Sequence, residues 1–357
     1  MISITKVGAI CNLGRNIDEI FNNACCGKIF PQKIDIELPK IDNEKYDLRC
    51  NQLLLELCNQ LKVDIDFAIE KYGKNRVGVV VATTNSGIDE YEETANLDHL
   101  KISNPSEYLK DLLDLNNFYC CVSTACTSGV KAFSTAKKLL ENNICDCVIV
   151  AGVDPIAKLP ISGFSALEVL TQTRTNPFSK NRCGMNIGEG AALFILEKDV
   201  DGVKLLGIGE TSDAYNAATP DPEANEAIRA IKIALQEADL KPEQIDYINL
   251  HGTGTISNDL MEAKAVNEVF GGNVYCSSTK PLTGHCLGAA ASIETALCIK
   301  TLETGIMPPH IFDGEYDNEL PKIKLVTEKN LKAEKMNFCM SNSFGFGGTN
   351  AILIIGK

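Results

Sequence analysis

CVSTACTSGVKAFSTAKKLLENN, residues 121–143, reads as the end of a strand, a Ser-Thr step, a turn of small residues and then a helix. The β-rich run closes at Ser123, and Ser128–Asn142 spaces its apolar residues at helical intervals. CSSTKPLTGHCLGAAASIETALCIKTLETG, residues 276–305, repeats that order of strand, Ser-Thr, small-residue turn and helix. Self-similarity of this kind points to a duplicated half. Outward from these two segments, strands are expected at Val77–Ala82, Cys147–Ala151, Ala191–Leu196, Tyr247–Leu250, Phe338–Met340 and Ala351–Ile355. Helices are expected at Asp18–Cys26, Glu223–Ala238, Asp259–Phe270 and Ala289–Glu303. Apolar runs alternating with helical stretches, without a low-complexity linker, predict an α/β architecture with buried strands and no independent second domain.

Of the 357 residues, 45% are hydrophobic and 23% charged, enough apolar material for a large core or two fused half-cores. No stretch approaches the roughly 18 apolar residues that span a bilayer. Met1–Ile10 alternates like a strand instead of carrying an export signal's apolar block, so a cytoplasmic protein without a membrane span is expected. Fifteen cysteines then read as reduced, mostly buried side chains. They show no CxxC spacing and meet the four histidines in no zinc-ligand pattern, so no metal is expected. A net charge of −13 disfavours nucleic acid and anionic membrane as partners of the whole surface.

Cys126 stands where strand hands over to helix, facing backbone N–H groups that favour a thiolate; a lowered pKa is the expectation. Its neighbours Thr124, Ala125, Thr127, Ser128 and Gly129 are small and leave room for a substrate. Most of the other cysteines are expected to be inert core residues, and Cys126 is distinguished by three further turns. HGTGT (251–255) follows an apolar strand, and STKPLTGHCLGAA (278–290) precedes a small-residue helix; each offers one histidine at a strand edge. His99 and His310 lack that setting and read as structural. NSFGFGGTNA (342–351) fails the GxGxxG spacing and lies too near the end to open a dinucleotide-binding unit. A glycine-rich loop whose N–H groups line an oxyanion site is the better reading.

STACTSG, HGTGT, STKPLTGH and NSFGFGGTN, in this order, resemble the active-site segments of the β-ketoacyl-acyl-carrier-protein synthases, within the thiolase-fold superfamily. Further matching segments are ITKVGAICNLG (4–14), NPFSKNRCGMNIGEGAALFILE (176–197) and TSDAYNAATP (211–220). The resemblance spans nearly the whole chain except about residues 43–117. It implies a thiolase-like α/β fold: two pseudo-duplicated halves, residues 1–200 and 201–357, with mixed five-stranded sheets in an α-β-α-β-α layering. It also implies decarboxylative Claisen condensation of an acyl thioester with malonyl-acyl-carrier protein, feeding fatty acid, polyene or polyketide synthesis.

Carried over by motif, Cys126 would hold the acyl chain, while His251 and His285 would bind the malonyl thioester oxygen and stabilise the enolate. The N–H groups of Cys126 and Phe346 would form the oxyanion hole, with Phe344 and Phe346 at the gate. Lys280 and Glu294 resemble a buried ion network behind the histidine turn, and Thr253 and Thr255 resemble hydroxyls that grip phosphopantetheine. Arg174, in TQTRTN, is the candidate for docking an acidic acyl carrier protein; Lys131, Lys137 and Lys138 read as a solvated helix face. No cofactor is implied beyond the carrier's phosphopantetheine. A homodimer is expected, with a heterodimer of related subunits as the alternative.

The family's PFD reads Pro177-Phe178-Ser179 here, a glycine of its GAAG helix start is Ala291, and the stretch before Cys120 is short. Two rival readings stand beside the synthase. A chain-length-factor-like partner subunit would typically lack the nucleophile, whereas this chain retains Cys126, His251 and His285. A thiolase acting on coenzyme A esters would use a second cysteine, for which Cys286 is available, but the Cys-His-His order and NSFGFGGTN favour the synthase.

Overall fold

The computed structural model describes residues 1–29, 32–328, 331–333 and 335–357. The amino-terminal elements are β1 (Ile2–Cys11), α1 (Ile17–Cys25), α2 (Arg49–Gln60), α3 (Lys62–Tyr72), β2 (Val77–Ala82), α4 (Ile88–Thr94) and α5 (Asn104–Leu112). They continue as β3 (Tyr119–Val122), α6 (Ser128–Glu141), β4 (Cys147–Asp154), α7 (Lys158–Ala166) and β5 (Gly190–Lys198). Then follow β6 (Val203–Ser212), α8 (Asn225–Glu237), β7 (Tyr247–Asn249), α9 (Ile256–Phe270), β8 (Tyr275–Ser277) and α10 (Lys280–Thr283). The chain closes with α11 (Ala290–Thr304), β9 (Lys324–Leu325), β10 (Phe338–Gly345) and β11 (Thr349–Gly356).

The strands run in the order β3-β2-β4-β5-β1-β6-β11-β10-β7-β8-β9. This order contains the same five-stranded pattern twice. In the first, β2 is parallel to β3 and β4, and β5 is antiparallel to both β4 and β1. In the second, β7 is parallel to β8 and β10, and β11 is antiparallel to both β10 and β6. β1 matches β6, β2 matches β7, β3 matches β8, β4 matches β10 and β5 matches β11. The predicted duplication is thus realised strand for strand. A short antiparallel contact, Ser3 with Lys204 and Ile4 with Val203, joins the two sets, and the two-residue β9 is added at one edge.

Helices lie on both faces, as a sheet of all-buried strands such as β2 (VGVVVA) and β4 requires. One outer layer packs α2, α3 and α5 on the first sheet, through Leu53, Leu54, Ile65 and Leu109. The other packs α8 and α9 on the second, through Ala230, Ile231, Met261 and Val266. Between the sheets lie α6 and α11, the two helices of the repeated sequence segment. Together these make the α-β-α-β-α layering.

The two central helices meet at unusually close range. A Cβ on Gly129 would lie 2.8 Å from that of Ala291, and one on Gly152 would lie 2.2 Å from Ser292 Oγ. Only glycine fits at these points, and the small residues before Ile293 are those that touch β4 and α6.

Several elements differ from the sequence reading. β4, β10 and β11 run longer than expected, and β6 was not expected as a strand. Gly207 and Gly209 break the apolar pattern of β6, yet α8 packs directly on them: added Cβ atoms would lie 2.1 and 1.8 Å from the Ala234 and Ala230 carbonyl oxygens. The segment 43–117, which carried little motif signal, supplies α2 to α5 around β2. Among the described residues no helix is long and apolar enough to cross a membrane.

Candidate active site

The loops after β3, β7 and β8 converge at the carboxyl ends of parallel strands, where open α/β sheets place their ligands. The first carries Cys126, the second His251, and the third, through α10, His285. Ala125 adopts a left-handed φ of 53°, which turns the chain sharply from β3 into α6 and leaves the following thiol at the apex. Cys126, His251 and His285 are all buried. Cys126 Sγ lies 3.0 Å from His285 Nε2, and the two imidazoles meet edge to face with centroids 5.3 Å apart at 87°. Phe344 packs against His251 at 6.0 Å, also edge to face.

The loop after β10 completes the site. Gly345 permits its approach, since a Cβ there would lie 3.3 Å from the Cys126 nitrogen and 2.7 Å from Thr349 Oγ1. The N–H groups of Phe346 and Cys126 then face the sulfur. Two cavities meet at this point. One, of about 280 Å³, leads past Thr253 and Thr255, whose hydroxyls are 2.9 Å apart. The other, of about 360 Å³, is apolar and is lined by Ile88, Leu159, Phe164, Leu167 and Leu287. Cys126 and Phe346 border both, and Phe346 packs on Phe164 with ring centroids 5.3 Å apart.

Electrostatics at the site depart from one expectation. Burial pushes the Cys126 thiol up to about 12, outweighing the Lys280 charge and the N–H groups of Phe346 and Cys126 that pull it down. A helix N-terminus favours the thiolate, but complete burial opposes it at a larger cost, so the expected lowering is reversed. Burial, with the Lys280 charge adding to it, holds both His251 and His285 well below the ordinary histidine range, so both rings are neutral.

Lys280 and Glu294 form a buried ion pair at 2.5 Å, joining α10 to α11 across the His285 turn. Burial still raises the Glu294 carboxyl, against the pull of Lys280. Two carboxylates that the sequence reading did not single out hold the HGTGT turn from α9. Glu262 accepts from the His251 and Gly252 N–H groups at 2.8 and 2.7 Å and from Asn342 Nδ2 at 3.1 Å. Asp259 accepts from the Phe178 N–H at 2.8 Å and the Gly254 N–H at 3.2 Å. Burial raises Glu262 to about 7 and Asp259 to about 6. Their positions three residues apart on a helix, just after HGTGT, were the available signal.

The remaining candidates separate from the site. Arg174 is exposed on its loop. Lys137 binds Glu237 at 2.5 Å on the protein surface. Cys286 Sγ turns to the carbonyl oxygens of Thr283 and Gly284, at 3.6 and 3.9 Å, and borders neither cavity described above. His310 accepts the Ser278 N–H through Nδ1 and donates through Nε2 to the Pro177 carbonyl, both at 3.1 Å. His99 lies at the surface between Thr94 and Asn96.

The family described as "Beta-ketoacyl synthase, N-terminal domain" matches residues 31–201, and "Beta-ketoacyl synthase, C-terminal domain" matches residues 203–312. The 3-oxoacyl-[acyl-carrier-protein] synthase 2 of Coxiella burnetii is 30% identical over 411 residues, covering 100% of this chain and 98% of its own. Nodulation protein E of Rhizobium leguminosarum bv. trifolii is 30% identical over 397 residues, covering 99% and 98%. Among solved structures, a chain of the ketosynthase (ApeO) in complex with its chain length factor (ApeC), from Xenorhabdus doucetiae, superposes with a TM-score of 0.94. It is 37% identical and covers 99% of this chain and 97% of that one. Full-length similarity, the doubled sheet and the meeting of Cys126 with two histidines lead to one assignment: this chain belongs to the β-ketoacyl synthases.

Proposed function

We propose that this enzyme elongates acyl chains held on an acyl carrier protein, with Cys126 as nucleophile and His251 and His285 as the pair that handles the malonyl unit. One observation carries the reading: the sulfur sits 3.0 Å from one of two buried imidazoles, where the cavity past Thr253 and Thr255 meets the apolar one.

In the first stage, Cys126 Sγ attacks the carbonyl of an acyl thioester delivered on phosphopantetheine. The tetrahedral oxyanion is held by the Cys126 and Phe346 N–H groups, each such donor being worth about 3 kcal/mol of barrier. The developing thiolate is supported by His285 Nε2–H and the Lys280 charge. The carrier's thiol departs with the proton that Cys126 gives up. In the second stage, malonyl-acyl-carrier protein enters past Thr253 and Thr255, and its thioester oxygen accepts from the two imidazoles. Carbon dioxide leaves and its bonding electrons pass into an enolate held by those N–H groups. The enolate carbon attacks the Cys126 thioester, and the sulfur departs as the new carbon–carbon bond closes. The apolar cavity beside Phe346 takes the acyl tail.

The donor atoms of Cys126, His251 and His285 lie within 4.8 Å of one another, a spacing that a metal ion would bridge. The buried Lys280 charge acts on all three and disfavours a second cation among them, and the chemistry above leaves the sulfur free to attack. Arg174 is the proposed contact for an acidic carrier. A dimer is proposed; similarity to a chain solved with a chain length factor supports a related subunit as partner. The complete Cys-His-His set favours the active subunit over a silent one. Intact-mass trapping of the acyl enzyme, followed by addition of malonyl-acyl-carrier protein, tests the scheme: Cys126→Ala gains no acyl mass and yields no condensation product. Condensation by that variant at the wild-type rate overturns it.

A further inference from the structure

Asp154 closes β4 and is fully buried, yet no step above uses it. Its carboxylate accepts five hydrogen bonds. Oδ1 takes the Thr83 hydroxyl and the Thr84 and Asn85 N–H groups, each at 2.8 Å. Oδ2 takes the Thr84 hydroxyl at 2.7 Å and the Gly288 N–H at 2.6 Å. Burial raises its pKa, and the donors on both oxygens pull it back towards the anion. All five partners are backbone or hydroxyl dipoles, so the charge is held in place by groups that cannot move independently of their loops.

Those loops have two destinations. Thr84 and Asn85 border the apolar cavity behind Cys126, as does Leu287. Gly288 follows His285 by three residues in the turn that presents the imidazole. Leu287 between them holds a left-handed φ of 49°, a conformation that costs a leucine about 1–2 kcal/mol and needs support from its surroundings. A Cβ on Gly288 would lie 2.8 Å from Asp154 Oδ2 and 3.0 Å from Thr84 Cγ2, so the turn rests directly on the carboxylate and the cavity wall. One anion therefore fastens the acyl cavity to the histidine turn.

Resting on the functional reading above, we propose that Asp154 is a positioning residue for the condensation step, carrying the seating of the acyl tail against Thr84 and Leu287 to the imidazole of His285. Asp154→Asn keeps the shape but replaces one accepting oxygen with a donor. Either the Gly288 N–H or the Thr84–Asn85 cluster then faces an N–H group, and the turn loses its register.

The test uses the full chain, with acyl loading of Cys126 read by intact mass and condensation by product formation from malonyl-acyl-carrier protein. Asp154→Asn is expected to load within about twofold of wild type, while condensation falls at least about tenfold in kcat with KM for the carrier unchanged. Thr83→Val removes one hydroxyl from the same carboxylate without touching the cavity wall and is expected to give the same split at about threefold; it decides the matter if Asp154→Asn fails to fold. Equal loss of loading and condensation in the folded variant means that Asp154 is merely structural, and wild-type condensation in both variants means that it positions nothing; either outcome overturns the proposal. Wild type run in parallel separates the two readings, since its failure to condense refutes the functional assignment and leaves no condensation step for Asp154 to serve.

Discussion

Replacing Lys280 with methionine leaves the Glu294 carboxylate in a fully buried site without its partner 2.5 Å away. Stranding one member of such a pair costs about 3–5 kcal/mol, because the remaining charge keeps its desolvation penalty and loses its compensation. At about 2.1 cal/mol/K of unfolding entropy per residue, a chain of this length shifts its Tm by about 1.3 °C per kcal/mol, so Lys280→Met is expected to lower Tm by about 4–7 °C. The cost has a characteristic pH dependence. Glu294 already has a raised pKa, and losing Lys280 raises it further, so protonation relieves the stranded charge. The folded variant then binds the proton more tightly than its unfolded chain, and its stability falls as pH rises. The deficit relative to wild type should thus be larger at pH 8 than at pH 5. Adding Glu294→Leu removes both charges and should recover most of the loss, as buried pairs replaced by apolar residues are often near neutral. Urea unfolding of the four proteins gives the cycle directly. A single-variant cost below about 1 kcal/mol, or a double variant as unstable as the sum of the singles, would refute the claim that the pair is a mutually dependent buried unit. Catalysis gives a second reading: removing Lys280 relieves the electrostatic part of the depression of His251 and His285. The acid limb of the condensation pH profile should move upward, even in the stable double variant.

Three further predictions concern separate parts of the molecule. His285→Ala removes the Sγ contact and one enolate donor; acyl loading should slow by about tenfold, whereas condensation should drop by at least about a thousandfold, both read on the trapped acyl enzyme. Glu262 has a folded pKa raised to about 7, so its contribution to stability declines as pH rises towards 7; the stability difference between wild type and Glu262→Gln should shrink from pH 5 to pH 7.5 in urea titrations, and growth of that difference would contradict it. Gly152→Ala places a methyl group 2.2 Å from Ser292 Oγ between β4 and α11. It should cost about 1–3 kcal/mol, and Gly152→Ala with Ser292→Ala should regain part of that loss.

The proposed reacting groups were legible because each sits in a short turn between regular elements, so that local sequence alone shows Cys126, His251, His285 and Phe346 as turn residues facing strand ends. The duplication was legible for a related reason: the helices of 121–143 and 276–305 pair with each other in the centre of the molecule and share their small-residue starts. What was not legible depends on long-range contact. Glu262 looks like an ordinary helix residue, and Asp154 lies beyond the expected strand end, until folding brings Gly252 and Gly288 onto them. The direction of the Cys126 shift was misjudged because helix position is local, whereas burial is a property of the whole assembly of loops. β6 was hidden by glycines whose purpose appears only when α8 is laid across them.

The proposed nucleophile follows β3 of one repeat, while both imidazoles follow β7 and β8 of the other, so neither repeat by itself holds all three groups. Cys126 precedes His251 and His285 by more than a hundred residues, so on the proposed scheme condensation requires the second repeat to be folded against the first. A nick that parts the repeats should then silence the enzyme without touching a single reacting atom.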